Sequence, residues 1–440
     1  MTIDLFDRRS TQWDTSWIQI DGLVNYLDAV WQDRPRFPYR GEGIEESPST
    51  QKFFVFEKNT IEAKNYVGFL QFQDLRINVY PRVFYQHAEF SPSLAIQHMI
   101  KWLGYSDRIH FPFSKIALDT SHCKDWLDAF IFLFASFTEQ SLNTCPYFSY
   151  HEVTEEMNFV RGRIAMPEYL RNNILKGRHQ NVFCTYEPFL YDNLFNRIVK
   201  YTSRLLLNFT EDNRNIELLN NILFILTDVE DIFCSGSDCD KVATNRLYPE
   251  IDIIRNMCQM FLQHSSIGHY NNRQNCICFF LPMEVIFEQY ISGFIQCHFP
   301  AYRVSAQADD TFLANTGDNY SLAAFQMRHD ILIPGKMIID TKYKFRQLSD
   351  DNKNGVSQLD MYQIICYCFK RNLPHGLMLY PAHKESGANN KAVSYLVKAP
   401  AMTIYVQVNS IDITEDIIED FEESQIKKFT DLLADSIPGR

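Results

Sequence analysis

The hydrophobic pattern is clearest over residues 271–440, where short apolar runs alternate with two amphipathic stretches. The runs have the length and β-branched content of strands, and the amphipathic stretches repeat their apolar residues at helical spacing. After a first strand, the elements follow in the order α-β-β-β-α-β, with one more strand after them, which predicts a small α/β domain with a mixed sheet. The predicted strands are NCICFFL, AYRVSAQA, RHDILI, KMIIDTKYKF, GLMLYPA and SYLVKA, and the predicted helices are MEVIFEQYISGFIQCHF and VSQLDMYQIICYCFKR.

The first 150 residues mix both patterns. Three strand-like runs between Lys52 and Phe84 predict a small β meander, whose last strand ends at Pro81, a residue that cannot donate to a sheet. Helical spacing occurs on both sides of the meander. Residues 1–150 are therefore predicted to form a mixed, β-containing N-terminal module. Its predicted helices lie near Leu23–Trp31, Ser93–Gly104 and Trp126–Leu142, and residues 38–51 are predicted to form a polar loop.

Residues 151–270 are predicted to be a mostly helical middle region. The strongest pattern lies near Asn193–Leu207, where Leu194, Ile198 and Leu205 share one face of a helix. The chain is thus predicted to be a mixed α+β protein in three parts, which agrees with the two to three domains expected for 440 residues. Further helices are predicted over Ile216–Leu226 and Ile251–Leu262, and residues 234–241 are predicted to form a loop.

The charge of the chain restricts how it can meet nucleic acid. The formal net charge is -12, whereas a protein that coats itself with DNA is expected to be basic. Any contact with DNA must therefore use a local patch. The segment from Arg161 to Arg204 contains eight Lys and Arg residues and only three acids, so it is either such a patch or a solvated surface. The candidate DNA- or partner-binding residues in it are Arg161, Arg163, Arg171, Lys176, Arg178 and Arg197.

The cysteines and the apolar runs exclude two further classes. None of the 11 cysteines belongs to a C-x-x-C pair, so we expect free, largely buried thiols rather than a zinc site. No apolar run approaches the ~20 residues that a membrane-spanning helix needs. The first ten residues, MTIDLFDRRS, lack the apolar core of a signal peptide. We therefore expect a soluble, cytoplasmic protein.

Candidate chemistry lies in the segment HDILIPGKMIIDTKYK, residues 329–344. An ionised carboxylate in a buried strand is costly unless it is paired or binds a metal. In an antiparallel hairpin, the numbers of two opposed residues always add to the same sum. The numbers 330 and 340 add to an even sum, so Asp330 lies opposite Asp340 only if the loop has an odd number of residues. The central Pro-Gly pair favours a type II turn, which suits a three-residue loop better than a two-residue one. Both carboxylates and Lys342 are therefore predicted to converge on one face.

Such a cluster can hydrolyse a phosphodiester. Two carboxylates can hold Mg²⁺ or Mn²⁺, which polarises a phosphoryl oxygen and lowers the pKa of a bound water. The ammonium group of Lys342 can orient that water or offset charge that develops on phosphorus. The backbone carbonyl of Thr341 is a further candidate metal ligand. The alternative interpretation is an edge hairpin that carries exposed charges.

Two flanking helices offer further polar side chains. Glu288 lies on the same helix face as Ile291 and Ile295, so it is predicted to point inward as a third acid. Glu284 lies one turn nearer the helix start, where an acid is favourable for the dipole alone. Gln363 on the following helix either contacts the metal-bound water or the DNA backbone, or is a hydrogen-bonded core residue.

The arrangement of an acid on a helix, an Asp on one strand and D-x-K on the next resembles the PD-(D/E)xK nuclease superfamily. In this chain His329 replaces the usual Pro of its first motif. The order of several short motifs also resembles the McrC family, the nuclease subunit of McrBC restriction systems that act on 5-methylcytosine-containing DNA. The matching motifs are RGRI at 161–164, CTYE at 184–187, DN at 192–193 with Asn196 and Arg197, FE at 287–288, Asp330, IDTKYK at 339–344, D-x-YQ at 360–363, and VGFL followed by INVYPRVF near the N-terminus.

This resemblance implies a subunit that cuts double-stranded DNA without choosing the site. In the family, a GTP-hydrolysing AAA+ ring, McrB, reads the modified DNA and translocates it, and the N-terminal part of the McrC-like subunit inserts into the ring and stimulates its GTPase. Residues 1–150 are accordingly expected to bind the ring. The chain itself has no P-loop and is expected to bind no nucleotide.

Two other functions and a structural role stay open at this point. The chain could be a non-catalytic activator of the ring that keeps a nuclease fold, or a stand-alone DNA repair nuclease. In the middle region, Asp192 could cap the start of the predicted helix and pair with Arg163, so that the RGRI and DNxxNR motifs form a structural clasp. The alternative is that these motifs contact DNA or the partner directly.

Overall fold

The computed structural model is a mixed α+β protein. It describes most of the chain, and the polar loop predicted over residues 38–51 lies almost entirely outside the described residues. The described residues are 1–13, 20–32, 51–57, 59–85, 87, 90–106, 123–150, 152–243, 248–267, 275–316, 320–346, 352–383, 390–398, 402–415 and 418–436.

The described helices and strands confirm most of the predicted elements. The helices are α1 Ile20–Gln32, α2 Pro92–Gly104, α3 Trp126–Thr144, α4 Met166–Asn172, α5 Leu194–Leu206, α6 Asn213–Ile225, α7 Gly236–Cys239, α8 Pro249–His264, α9 Met283–His298, α10 Gln358–Arg371 and α11 Phe421–Ser436. The strands are β1 Thr2–Phe6, β2 Arg9–Gln12, β3 Phe54–Glu57, β4 Thr60–Ala63, β5 Tyr66–Phe72, β6 Leu75–Tyr80, β7 Ser149–Tyr150, β8 Val153–Met157, β9 Arg163–Ile164, β10 Val182–Tyr186, β11 Phe189–Leu190, β12 Ser265–Ile267, β13 Asn275–Pro282, β14 Ser305–Thr316, β15 Leu322–Ile333, β16 Met337–Thr341, β17 His375–Pro381, β18 Val393–Lys398 and β19 Thr403–Ile411.

The chain divides into two compact units. The first unit combines Met1–Trp126 with Cys278–Arg440, and the second is Leu127–Ile277. The N-terminal part of the chain and the C-terminal part with the candidate site therefore fold together.

A six-stranded mixed sheet lies in the C-terminal part of the first unit, which confirms the predicted mixed sheet. Its strand order is β14-β15-β16-β17-β19-β18, with parallel pairing from β16 through β17 to β19 and antiparallel pairing elsewhere. The predicted strand NCICFFL does not belong to it, because β13 pairs with β5 in another sheet. Helix α9 packs against β15 and β16, and helix α10 packs against β16, β17 and β19. The apolar residues Ile338, Ile364, Cys368 and Val406 belong to the core that α10 closes. Strand β19 and helix α11 were not predicted.

The turn between β15 and β16 has the three-residue loop that the sequence arithmetic favours. Ile333 pairs with Met337 and Ile331 with Ile339, so the opposed residue numbers have a constant sum. Gly335 takes φ +70°, a left-handed conformation that glycine adopts without steric cost. Continued by one residue, this register places Asp330 opposite Asp340.

The N-terminal part of the first unit contains two small sheets rather than one meander. Strands β1, β6, β5 and β13 are neighbours in that order in one sheet, and β2, β4 and β3 form another. The prediction of a single meander is therefore wrong, and β1, β2 and β4 were missed because they are only four or five residues long. Gly68 in β5 takes φ +136°, and a Cβ atom there would lie 2.0 Å from the carbonyl oxygen of Phe279. Glycine thus permits the close approach of β5 and β13.

The second unit is helical only in part. Helices α5, α6 and α8 confirm the predicted helical segments, and the predicted 234–241 loop contains the short helix α7. Residues 149–190 instead contain five short strands, β7 to β11, so the prediction of a mostly helical region is wrong there. All 11 cysteines are free thiols and eight are buried, as expected. No helix within the described residues is long and apolar enough to cross a membrane.

Candidate functional site

The hairpin of β15 and β16 brings the two predicted aspartates together. The backbone N–H of Thr341 donates to Asp330 Oδ2 at 2.7 Å, and the Thr341 hydroxyl donates to the same oxygen at 2.9 Å. Asp330 is half-buried, whereas Asp340 is fully buried. Thr341 therefore fixes the Asp330 carboxylate beside Asp340 through its N–H and hydroxyl groups. Its backbone carbonyl is the candidate metal ligand named from the sequence.

Asp340 is held in an environment that disfavours its charge. Burial, together with the nearby charge of Asp330, raises the pKa of Asp340 to about 7, although Lys342 acts in the opposite direction. The Oδ1 atom of Asp340 is buried and has no hydrogen-bond partner. A buried carboxylate oxygen without a donor is costly, so this side chain is placed for a role other than stability.

Lys342 joins this pair as predicted. Its Nζ atom lies 2.8 Å from Asp340 Oδ2 and 3.2 Å from Gln363 Oε1. Burial lowers the pKa of Lys342, but the carboxylates of Asp340, Asp330 and Asp360 outweigh it and the net pKa is raised. Lys342 is therefore a fixed positive charge beside the two aspartates.

Glu288 and Glu284 occupy different surroundings on α9. Glu288 is half-buried and accepts a hydrogen bond from the side chain of Gln307, which in turn accepts one from Arg328. Glu284 is exposed in the first turn of the helix and lies 2.7 Å from Arg8. Among the described residues, no group of three or more His, Cys, Asp or Glu side chains could hold a metal ion. The two aspartates thus form a two-carboxylate pair, and the contacts of Glu288 lead to β14 and β15.

The residues present nevertheless fit a Mg²⁺ ion. Mg²⁺ prefers oxygen ligands, keeps several waters, and is usually bound through one or two carboxylates plus substrate phosphates. The Asp330 and Asp340 carboxylates supply that donor set, and the orphaned Oδ1 atom of Asp340 is an oxygen ligand without a competing donor. Asp330, Asp340 and the neighbouring Thr341 carbonyl are therefore the residues that would hold the ion.

Sequence reasoning named Gln363 as a candidate but missed its contact with Tyr367 and the ion pair of Lys344 with Asp360. Gln363 Nε2 donates to the hydroxyl of Tyr367 at 2.7 Å, and Lys344 lies 2.5 Å from Asp360. Spacing alone could have predicted the contact of Gln363 with Tyr367, because the two residues are four apart on one helix face. The ring contact of Tyr367 with His329, at 4.6 Å between centroids, could not be found from spacing.

The basic residues of the second unit lie mainly on its surface. Arg161 stacks over the ring of Tyr186 at 4.2 Å, and Arg163 pairs with Glu152 at 3.2 Å. The suggested pairing of Arg163 with Asp192 is therefore wrong. The other candidates, Arg171, Lys176 and Arg178, are exposed.

A clasp does exist around Asp192, with a different partner. Arg197 donates to both Asp192 oxygens, at 2.7 and 2.8 Å, and lies 2.9 Å from Glu230. Asn193, not Asp192, caps α5, because its side chain accepts from the N–H of Asn196. The DNxxNR motif thus fixes the start of α5.

Comparisons with known proteins show the family of the chain and structures with a similar fold. Residues 61–381 match the family model described as "McrBC 5-methylcytosine restriction system component". A half-complex from a tetradecameric assembly of Thermococcus gammatolerans McrB AAA+ hexamers with bound McrC contains a similar chain, with a TM-score of 0.72 and 16% identity over 98% of this chain and 100% of that one. A cryo-EM structure of the McrBC complex of that organism gives a TM-score of 0.53 and 19% identity over 68% of this chain and 88% of that one. No curated protein matches the chain. Because the family model covers well over half of its residues, the chain belongs to the family of McrBC 5-methylcytosine restriction system components.

Proposed function

We propose that this chain is the nuclease subunit of an McrBC-type complex, a PD-(D/E)xK endonuclease that hydrolyses phosphodiester bonds of methylcytosine-containing DNA. The observation that carries the proposal is the cluster of Asp330, Asp340 and Lys342 at one hairpin, with Lys342 Nζ 2.8 Å from Asp340. A pair of carboxylates can hold the cation that metal-assisted hydrolysis uses, and a lysine beside them can offset the charge that develops on phosphorus. The family membership supports the choice of DNA as the substrate.

The chain's own groups would divide the work as follows. Asp330 and Asp340 hold the divalent cation, which when bound polarises a phosphoryl oxygen and acidifies water. Lys342 is fixed between Asp340 and Gln363, so that its remaining N–H group can donate to the attacking water or to a phosphate oxygen. Glu288 is proposed as a third acid that approaches the site once DNA displaces its Gln307 contact.

The AAA+ GTPase partner is proposed from the structural neighbours, in which McrC is bound to McrB AAA+ hexamers. The net charge of -12 supports delivery of DNA by such a partner, because a strongly acidic chain repels a polyanion at long range. The chain would then stimulate the GTPase of the ring and cut the DNA that the ring supplies.

Two surfaces can carry the contact with the ring. Residues 1–150 remain the first proposal. The second is a surface within residues 148–190, where α4 has no buried residue and where Phe159 and Leu175 are 59% and 80% exposed. Exposed apolar side chains that are concentrated in one part of a protein are typical of an interaction surface.

Point variants separate these surfaces better than a truncation does. A chain that begins near residue 151 would lose β5 and β6, which share a sheet with β13. Leu175→Asp should abolish stimulation of the partner's GTPase if the second surface binds the ring, whereas Leu396→Asp, at an exposed apolar residue of β18, should not. Full stimulation by Leu175→Asp would leave residues 1–150 as the contact.

The experiment that tests the function is reconstitution. The purified chain, its AAA+ partner, GTP and Mg²⁺ should cut 5-methylcytosine-containing plasmid, and EDTA should stop cutting. No cutting by the complete mixture, with normal stimulation of the GTPase, would favour the non-catalytic activator. Efficient cutting by this chain alone would favour the stand-alone nuclease.

A further inference from the structure

The lysine of the site needs an orientation that its own side chain cannot supply. A lysine has a flexible four-carbon stem and three equivalent donors. Here two of those donors have acceptors, at 2.8 Å in Asp340 and at 3.2 Å in Gln363. Since both acceptors are fixed on secondary structure, they also fix the direction of the third donor. The geometry of Gln363 therefore matters for the reaction proposed above.

A glutamine amide can present either an oxygen or an NH₂ group to a neighbour. Against an ammonium group only the oxygen is productive. The NH₂ group of Gln363 donates to the Tyr367 hydroxyl at 2.7 Å, which leaves Oε1 directed at Lys342. The ammonium group of Lys342 selects this orientation, since it only donates, whereas a tyrosine hydroxyl can pair with either end of an amide. The Tyr367 hydroxyl anchors the amide in the selected orientation.

Tyr367 is itself held in place by the core. It is 9% exposed and belongs to the apolar cluster under α10. Its ring lies 4.6 Å from the ring of His329, and His329 Nδ1 lies 2.9 Å from the carbonyl oxygen of Ala308. A continuous series of contacts therefore runs from β14 through β15 and α10 to Lys342.

We propose that Tyr367 is a positioning residue for phosphodiester cleavage, which acts on Lys342 through the amide of Gln363. The inference rests on the proposed nuclease function. Tyr367 touches neither substrate nor metal in this role. Its hydroxyl anchors the Gln363 amide, so that the amide oxygen stays within hydrogen-bond distance of the lysine.

The first test removes only the hydroxyl group. Tyr367→Phe should lower the single-turnover cleavage rate of the reconstituted complex about tenfold, the scale of one hydrogen bond, and leave the apparent affinity for DNA unchanged. The melting temperature should fall no further than in a control variant that also loses one hydrogen bond. Tyr395→Phe is the matched control, because the Tyr395 hydroxyl also makes a hydrogen bond, at 2.9 Å to Lys353, at a distance from the site. A wild-type cleavage rate in Tyr367→Phe would refute the proposal.

The second test asks whether the hydroxyl acts through the amide. Gln363→Leu removes the amide group through which the hydroxyl acts. In the Gln363→Leu background, Tyr367→Phe should therefore cost less than about twofold, whereas in the wild-type background it costs about tenfold. Equal losses in both backgrounds would show that Tyr367 acts as packing only. If the wild-type complex itself does not cut DNA, the proposed function fails first, and the two failures are distinguishable.

Discussion

Replacement of Asp340 by Asn should abolish binding of a divalent cation at the carboxylate pair. Asp340 is fully buried, and its Oδ1 atom has no hydrogen-bond partner. The amide keeps the shape of the side chain but is a weaker ligand than a carboxylate for a hard cation. Because a ligand of the folded state stabilises it by RT ln(1 + [L]/Kd), Mg²⁺ at ten times its Kd should add about 1.4 kcal/mol to wild-type stability and none to Asp340→Asn.

The pKa of Asp340 determines how this stabilisation depends on pH. Burial and the charge of Asp330 raise the pKa to about 7, so a proton competes with the cation for the carboxylate. At that pKa, Asp340 is about one-tenth ionised at pH 6 and about nine-tenths ionised at pH 8. The apparent affinity for the metal should therefore be about tenfold weaker at pH 6 than at pH 8.

The assay is thermal denaturation of the purified chain during titration with MgCl₂ or MnCl₂ at both pH values. The expected wild-type increase in melting temperature is roughly 2–4 °C for each kcal/mol of stabilisation. Asp420→Asn, which removes an exposed acid of the same unit, should behave like the wild type. An equal metal-dependent increase in Asp340→Asn and in the wild type would refute the assigned site.

Three further outcomes follow from other parts of the molecule. Gly68→Ala should lower stability by more than about 2 kcal/mol, because its Cβ would lie 2.0 Å from a carbonyl oxygen. Gly335→Ala has open space around its Cβ and should lower stability by only about 1 kcal/mol, through backbone strain. Urea denaturation of both variants compares the two losses. Burial raises the pKa of Asp7 from 3.8 to about 7, so ionisation of Asp7 lowers folding stability as the pH rises through that interval. Relative to the wild type, Asp7→Asn should therefore gain about 3 kcal/mol of stability between pH 5 and pH 8 in denaturant melts. The isolated chain should bind DNA weakly and with a shallow salt dependence, because at most eight cations lie in the 161–204 stretch and four of them are already paired with acids. A salt titration of DNA binding with and without the partner measures this, and tight binding by the chain alone at physiological salt would contradict it.

The sequence predicted the centre of the site because its geometry is local. The three-residue turn fixes the register of β15 and β16, and that register places Asp330 opposite Asp340. Lys342 follows two residues later and its ion pair confirms the shared face. The contacts of Glu288 and Tyr367 depend on how α9 and α10 pack on the sheet, which one-dimensional spacing does not specify.

Elsewhere the sequence pattern was weak for a physical reason. Strand β8 buries none of its residues fully, so its sequence VTEEM has no alternation of apolar and polar positions. The cap of α5 was ambiguous because Asp192 and Asn193 are both favourable cap residues, and only the structure shows that Asn193 accepts the Asn196 N–H while Asp192 binds Arg197. Elements that lack a buried face leave no periodic signal in the sequence.

DNA cleavage and GTPase stimulation, measured with the same two variants, test whether Asp340 and Lys342 are catalytic. Asp340→Ala and Lys342→Ala should each lower cleavage of methylated plasmid by about a thousandfold or more, the rate equivalent of several kcal/mol of lost transition-state stabilisation. Stimulation of the partner's GTPase by both variants should stay at the wild-type level, because neither side chain lies on a proposed partner surface. Wild-type cleavage by either variant would contradict the assignment of Asp330, Asp340 and Lys342 as the catalytic cluster.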